Sequence, residues 1–233
     1  MAWTDNLIGY WKLEETAGPT ADDAHSTNDG TYYTSGITYD QTGKINKCVT
    51  FDGANGKITL PDNADTQFET SDFSIVAWAF PTAFGALWKT IIGGESGAFT
   101  MGTYNTGGAF FCDKIDLWAG PNTGQTLTID TWNFICVVFD STATTNNITI
   151  NINGTPATGT FNVDFTAGAA SNLIGVQIGT TAYFTGLLDE IGIWKRKLTT
   201  DEVTALYNSG NGLTYPFESW TSFNAKAQHF STF

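Results

Sequence analysis

Short apolar runs, some alternating and some continuous, recur along this chain between clusters of Gly, Asn, Asp, Thr and Pro. From Asn147 to Asn153 every second position is isoleucine, so Ile148, Ile150 and Ile152 share one face of a strand. The Asn153-Gly154 pair that follows suits a type I′ hairpin turn, which needs positive φ at both positions. Phe73–Phe80 and Trp132–Phe139 are apolar on both faces, the pattern of central strands covered on each side. Further strands are expected at Leu7–Leu13, Lys47–Phe51, Lys57–Leu60, Thr90–Gly93, Phe99–Tyr104, Lys114–Trp118, Thr126–Ile129, Gly175–Gly179 and Tyr183–Trp194. One helical signal stands out, at Thr200–Tyr207. Thr199 can cap it, Glu202 sits at the third helical position to complete a capping box, and Val203, Leu206 and Tyr207 form its apolar face. Many short strands and one helical turn predict an all-β chain of two antiparallel sheets packed face to face.

Composition agrees with this reading and narrows the partners. Only 14% of the 233 residues are charged, while Gly, Thr, Asn and aromatics abound. A formal net charge of −13, with one arginine, Arg196, repels phosphate backbones, so nucleic acid is excluded as a partner. The three cysteines, Cys48, Cys112 and Cys136, have neither disulfide parity nor metal-site spacing; Cys136 reads as a small buried hydrophobe. No apolar run reaches membrane-spanning length, so no insertion is expected. The start, Met-Ala-Trp-Thr-Asp-Asn, lacks the charged and apolar regions of a secretory signal. The expected location is extracellular or on the surface of a virus particle.

Seven blocks in order carry a family resemblance. Leu7–Gly18 is similar to an opening strand, Asp22-Asp-Ala-His-Ser-Thr-Asn-Asp-Gly30 to a polar loop, and Lys47-Cys-Val-Thr-Phe-Asp-Gly53 to the next strand. Phe73-Ser-Ile-Val-Ala-Trp-Ala-Phe-Pro81 and the pair Trp132–Asp140 and Ile150–Gly154 follow, and Gly186–Tyr207 closes with a strand containing Asp189-Glu190 and the capped helix. Over Leu7–Gly210 the chain resembles laminin-G-like, concanavalin A-like jelly-roll domains. That resemblance implies a jelly-roll sandwich over residues 1–212 with an appended tail, 213–233, and a function of recognition rather than catalysis.

The same resemblance implies a structural calcium held by Asp22, Asn28 and Asp189, with Glu15 or Asp29 as further ligands. Oxygen-rich, glycine-terminated loops suit that ion, although an Asx-turn loop without metal explains the same residues. Because concanavalin A-like folds also host glucanases, Asp189 and Glu190 need separate attention. Adjacent strand residues point to opposite faces, whereas a retaining pair needs two carboxyls on one face, about 5–5.5 Å apart. Ile191 and Ile193 occupy the positions a second acid would need, and no nucleophile elbow or phosphate loop is present, so no catalytic residues are expected.

Glycan binding would use exposed rings, and Trp88, Tyr104, Trp118 and Tyr183 flank turns where rings can be presented. Core filling is the competing use of each ring. The tail carries Tyr215, Phe217, Trp220 and Phe223, then Phe230 and Phe233. So aromatic a segment is expected to dock, either on its own sandwich or on a neighbouring subunit. Two functions follow. One is a calcium-stabilised, non-enzymatic module that adheres to glycans or cell-surface proteins. The other is a structural or decoration protein of a viral particle, possible as a homo-oligomer, whose tail binds subunits.

Overall fold

The computed structural model describes residues 2–63, 71–86, 88–94, 99–114, 120–161, 172–177 and 181–217. Its strands are β1 (Leu7–Trp11), β2 (Thr20–Ala21), β3 (Gly30–Tyr32), β4 (Ile37–Thr42), β5 (Lys47–Asp52), β6 (Ile58–Thr59), β7 (Phe73–Pro81) and β8 (Lys89–Gly93). They continue with β9 (Phe99–Tyr104), β10 (Ala109–Lys114), β11 (Asn133–Phe139), β12 (Ile148–Ile152), β13 (Thr155–Gly159), β14 (Leu173–Ile174) and β15 (Thr185–Trp194). Helix α1 (Thr200–Tyr207) follows β15. An 8-stranded sheet runs β13-β12-β11-β7-β15-β5-β4, with β1 as a further partner of β15; a 7-stranded sheet runs β10-β9-β8-β14-β6-β3-β2. This is the antiparallel sandwich expected from the pattern.

The continuous apolar runs became the interior strands β7 and β11, as their two-sided burial requires. Ile148, Ile150 and Ile152 all enter the core between the sheets, with Ile75, Ile135, Val137 and Ile191 from the same sheet and Ile92, Phe99, Met101 and Phe110 from the other. Asn153 and Gly154 both have positive φ, 52° and 82°, as the hairpin turn demands. Two expected strands moved. In place of the Gly175–Gly179 strand, Leu173–Ile174 pairs and ends where Gly175 adopts φ +89°; residues 178 and 179 lie outside the described residues. Thr126–Ile129 contributes only an isolated bridge, Thr126 to Ala109. Of Lys114–Trp118, Lys114 closes β10 and the remainder lies outside the described residues.

A second apolar layer covers the outer face of the 8-stranded sheet. Helix α1 has the expected capping box: the Thr199 hydroxyl accepts from the Glu202 amide at 3.2 Å, and the Glu202 carboxylate accepts from the Thr199 amide at 2.8 Å. Val203 and Leu206 then pack with Trp3, Leu7, Tyr10, Trp78, Phe134 and Trp194. The 8-stranded sheet is thus covered on both faces at this end. The buried Arg196 guanidinium forks onto Glu202 at 2.7 and 2.8 Å and tethers the helix start to the chain entrance through the Asp5 carbonyl.

Candidate functional site

Three places carry the residues singled out by sequence. The first is the acidic loop, where Asp23 rather than Asp22 does the organising. Asp23 is buried and its carboxylate accepts from the amides of Tyr10, His25 and Asn28 and from the Ser26 hydroxyl. Burial pushes its pKa up, but the Ser26 hydroxyl and these amides outweigh it and hold the group below its ordinary value. Asp22 is exposed, and its amide donates to Glu15 Oε1 at 2.8 Å. Asn28 donates through Nδ2 to the Ile8 carbonyl and accepts through Oδ1 from Asn63. Asp29 accepts from the Asp23 amide.

The second place is the bulge in β15. Opposite one flank of this strand β5 pairs with Thr185–Leu188 and β1 with Ile191–Trp194, so Asp189 and Glu190 lie where one partner gives way to the other. Against β7 the register shifts between Asp189 and Gly192, and Glu190 takes φ +50°. The extra residue turns Glu190 toward the outer face that Asp189 already shares with Trp78, its register partner on β7. The expected opposite-face arrangement is therefore corrected: both carboxyls lie on one side. They are also sealed, at 0% and 1% exposure. Asp189 Oδ2 accepts from the Ile45 amide at 2.9 Å, closing the turn before β5, and Glu190 Oε2 accepts from the Tyr10 hydroxyl at 2.6 Å. Asp189 Oδ1 and Glu190 Oε1 are buried with no hydrogen-bond partner. Burial, with the charge of Glu190 beside it, pushes Asp189 up to about 8; burial likewise pushes Glu190 up to about 7 against the pull of the Tyr10 hydroxyl.

Asp22, Asn28 and Asp189 share no partner with one another. Among the described residues no three His, Cys, Asp or Glu side chains are grouped to hold a metal ion.

The third place is the outer face of the 7-stranded sheet. In the hairpin of β9 and β10, Phe111 stands opposite Gly102, and on the other side of β9 Gly102 stands opposite Thr90. Trp88 precedes β8 and packs against Tyr104 with ring centroids 5.0 Å apart, and edge-on against Phe111. Gly102 permits this. A Cβ there would collide with the Lys89 carbonyl and lie 2.9 Å from the Thr90 Cα, so the rings meet over a bare backbone. Trp88 and Phe111 are half-buried and Tyr104 is 37% exposed. Two of the four expected glycan-facing rings are thus brought together, with Phe111 as a third that sequence did not single out. Tyr183 is half-buried and bridges to Thr90 in the same sheet; Trp118 lies outside the described residues.

The tail begins by docking on its own chain. The Tyr215 ring stacks on Tyr10 at 4.8 Å and its hydroxyl is 2.9 Å from His25 Nδ1. Phe217 lies against Tyr10, Trp3 and Trp194. Trp220 and Phe223 lie outside the described residues.

A family model described as the Concanavalin A-like lectin/glucanases superfamily matches residues 52–204. No curated protein sequence matches the chain. Among solved structures, domain 4 of AbnA, a GH43 extracellular arabinanase from Geobacillus stearothermophilus solved with arabinotriose, is 21% identical with a TM-score of 0.67, over 86% of this chain and 97% of that one. The binding domain of Paraclostridial Mosquitocidal Protein 1 is 16% identical with a TM-score of 0.66, over 88% and 52%. Trypanosoma rangeli sialidase is 13% identical with a TM-score of 0.65, over 90% of this chain and 34% of the enzyme. The chain thus spans nearly all of the first, about half of the second and about a third of the third. At these identities the likeness is one of fold.

Proposed function

The chain belongs to the concanavalin A-like lectin/glucanase superfamily, and from that premise we propose that it is a non-catalytic carbohydrate-binding module. The observation that carries the reading is the meeting of Trp88, Tyr104 and Phe111 on the outer face of the 7-stranded sheet. The outer face of the 8-stranded sheet is covered by α1 and the start of the tail, so these rings stand on the sheet face that α1 leaves free. Ring faces and edges pack well against the C–H face of a sugar. A solved domain of the same fold holds arabinotriose, which is consistent with this use of the fold.

Absence of catalysis rests on the sealing of Asp189 and Glu190. Neither carboxyl reaches solvent, so neither meets a glycosidic bond. Of the rings that motivated the viral-subunit reading, Tyr215 and Phe217 are engaged on the protein's own strands, and Trp220 and Phe223 lie outside the described residues. Calcium stays outside the proposal, which rests on the rings. Affinity electrophoresis of the purified chain through polysaccharide-containing gels tests the proposal: retardation without product release supports it. Mobility unchanged on every polysaccharide, or turnover that Glu190→Gln abolishes, refutes it.

A further inference from the structure

Resting on the carbohydrate-binding reading, we infer that the chain carries a second sugar-binding surface on the opposite side of the sandwich. It is a strip of side chains that crosses the 8-stranded sheet and takes consecutive units of a linear oligosaccharide. The apolar layer of α1 and the tail over that sheet reaches the row of Phe134 and Trp78. The next row beyond it holds Trp132, Phe80, Leu187, Thr50 and Thr38. Register joins this row strand by strand. Trp132 stands beside Phe80, one position before the Asn133–Ala79 pair; Phe80 faces Leu187, Leu187 faces Thr50 and Thr50 faces Thr38. Their neighbours Ala79, Leu188, Val49 and Phe51 enter the core between the sheets, so alternation turns the row outward. Trp132, Phe80, Leu187 and Thr50 are half-buried and Thr38 is exposed.

The row is apolar at one end and polar at the other. The Trp132 and Phe80 rings meet edge to face with centroids 5.6 Å apart, and Leu187 extends their apolar surface. The hydroxyls of Thr50 and Thr38, like the Trp132 indole N–H, bond no protein group among the described residues. C–H faces of sugar rings pack on the first part, and sugar hydroxyls find donors and acceptors on the second and at the indole. Four strand spacings make the row about 19 Å long, and the next same-face residues along each strand stand about 7 Å away. A strip on the order of 130 Å² is far below the about 800 Å² per partner that a stable dimer buries. It is too narrow for a second copy of this chain and suits an extended sugar chain lying across the strands. With Trp88 and Tyr104 on the opposite face, one protein would bridge two polysaccharide chains.

The test titrates the full chain with linear arabino-, cello- and malto-oligosaccharides of increasing length and counts bound sugars by calorimetry and native mass spectrometry. The expected result is two sugar chains per protein. Tyr104→Ala and Phe80→Ala should each weaken one site by about tenfold or more, and the double variant both. Thr50→Val suits a strand and deletes only a hydroxyl, so it decides the matter if Phe80→Ala fails to fold; it should weaken the same site as Phe80→Ala. One bound sugar, lost in Tyr104→Ala and indifferent to Phe80→Ala and Thr50→Val, overturns the inference while leaving the carbohydrate reading intact. So does a native dimer that Phe80→Ala dissolves, because the strip is then an interface between copies. Binding of no sugar in any series overturns the inference and the reading together.

Discussion

The Tyr10 hydroxyl donates to Glu190 Oε2 at 2.6 Å, joining the first strand to the bulge of the last across 180 positions. The bond sits where β1 takes over from β5 as the neighbour of β15. There Asp189 closes the turn before β5 through the Ile45 amide, and Glu190 fastens β1. Two buried acids side by side thus hold together parts of the chain that are remote in sequence.

Their protonation sets a pH dependence. In the folded state Asp189 and Glu190 are raised to about 8 and about 7, from ordinary values of 3.8 and 4.5. Between those limits the folded chain holds more protons than the unfolded one, so stability falls as pH rises. The loss should begin near the ordinary values and be complete once pH passes about 8. Melting curves from pH 5 to pH 9 check this. Asp189→Asn and Glu190→Gln should each flatten the slope in that window, whereas general repulsion among surface carboxylates is left unchanged by either variant. Slopes identical to wild type would refute the assignment.

Tyr215 and Phe217 should contribute stability in cis. Phe217 lies against three rings, and truncating a partly buried Phe costs about 1–3 kcal/mol, somewhat below a full core site. In a chain of this size that lowers the melting temperature by roughly 2–4 °C per kcal/mol. Phe217→Ala should do so without changing native mass. Tyr215→Phe keeps the stack on Tyr10 and loses only the His25 contact, at about 1 kcal/mol. A Phe217→Ala chain that melts like wild type but loses an oligomeric mass would put the docking in trans.

Arg196 and Glu202 give a sharper effect. Both are buried, and removing one partner of a buried pair leaves an uncompensated charge, typically about 3–5 kcal/mol. Glu202 also completes the helix cap, so Glu202→Ala should exceed Thr199→Ala, which costs about 1 kcal/mol. Denaturant titration ranks the two. The reverse order would mean that the fork carries little.

What sequence revealed, and what it hid, follows from how local each signal is. The Ile148–Ile152 alternation, the two-sided runs of β7 and β11 and the capping box around Thr199 are written in neighbouring residues, and each formed as expected. Edge strands were missed: β4, Ile37–Thr42, and β13, Thr155–Gly159, are partly solvated and mix polar with apolar positions, which blurs the pattern. The Glu190 bulge arises from a change of neighbour on β15, which no window along that strand contains. Trp88 and Tyr104 were legible as ring candidates, but their meeting over Gly102, and the arrival of Phe111, depend on the registers of β8, β9 and β10.

The choice between Asp22 and Asp23 turned on the same limit, and it yields the last prediction. Adjacent acids at the head of the loop look alike in sequence, yet Asp23 alone turns inward to accept four hydrogen bonds, including those from Tyr10 and Asn28. Asp23→Ala strips acceptors from several donors at once. Each buried donor left unsatisfied costs about 1–3 kcal/mol, so the variant should lose several kcal/mol or fail to fold. Asp22→Ala, at an exposed site, should stay within about 0.5 kcal/mol of wild type. If a calcium ion tied Asp22 to Asp189, the order would change: Asp22→Ala would be costly, and a chelator would lower the wild-type melting temperature by removing a ligand of the folded state. Because Asn28 Oδ1 already accepts from Asn63 and Asp189 Oδ2 from the Ile45 amide, chelation should leave the melting curve where it is, in wild type and in Asp22→Ala alike. A calcium-dependent rise that vanishes in Asp22→Ala would overturn this account of the loop.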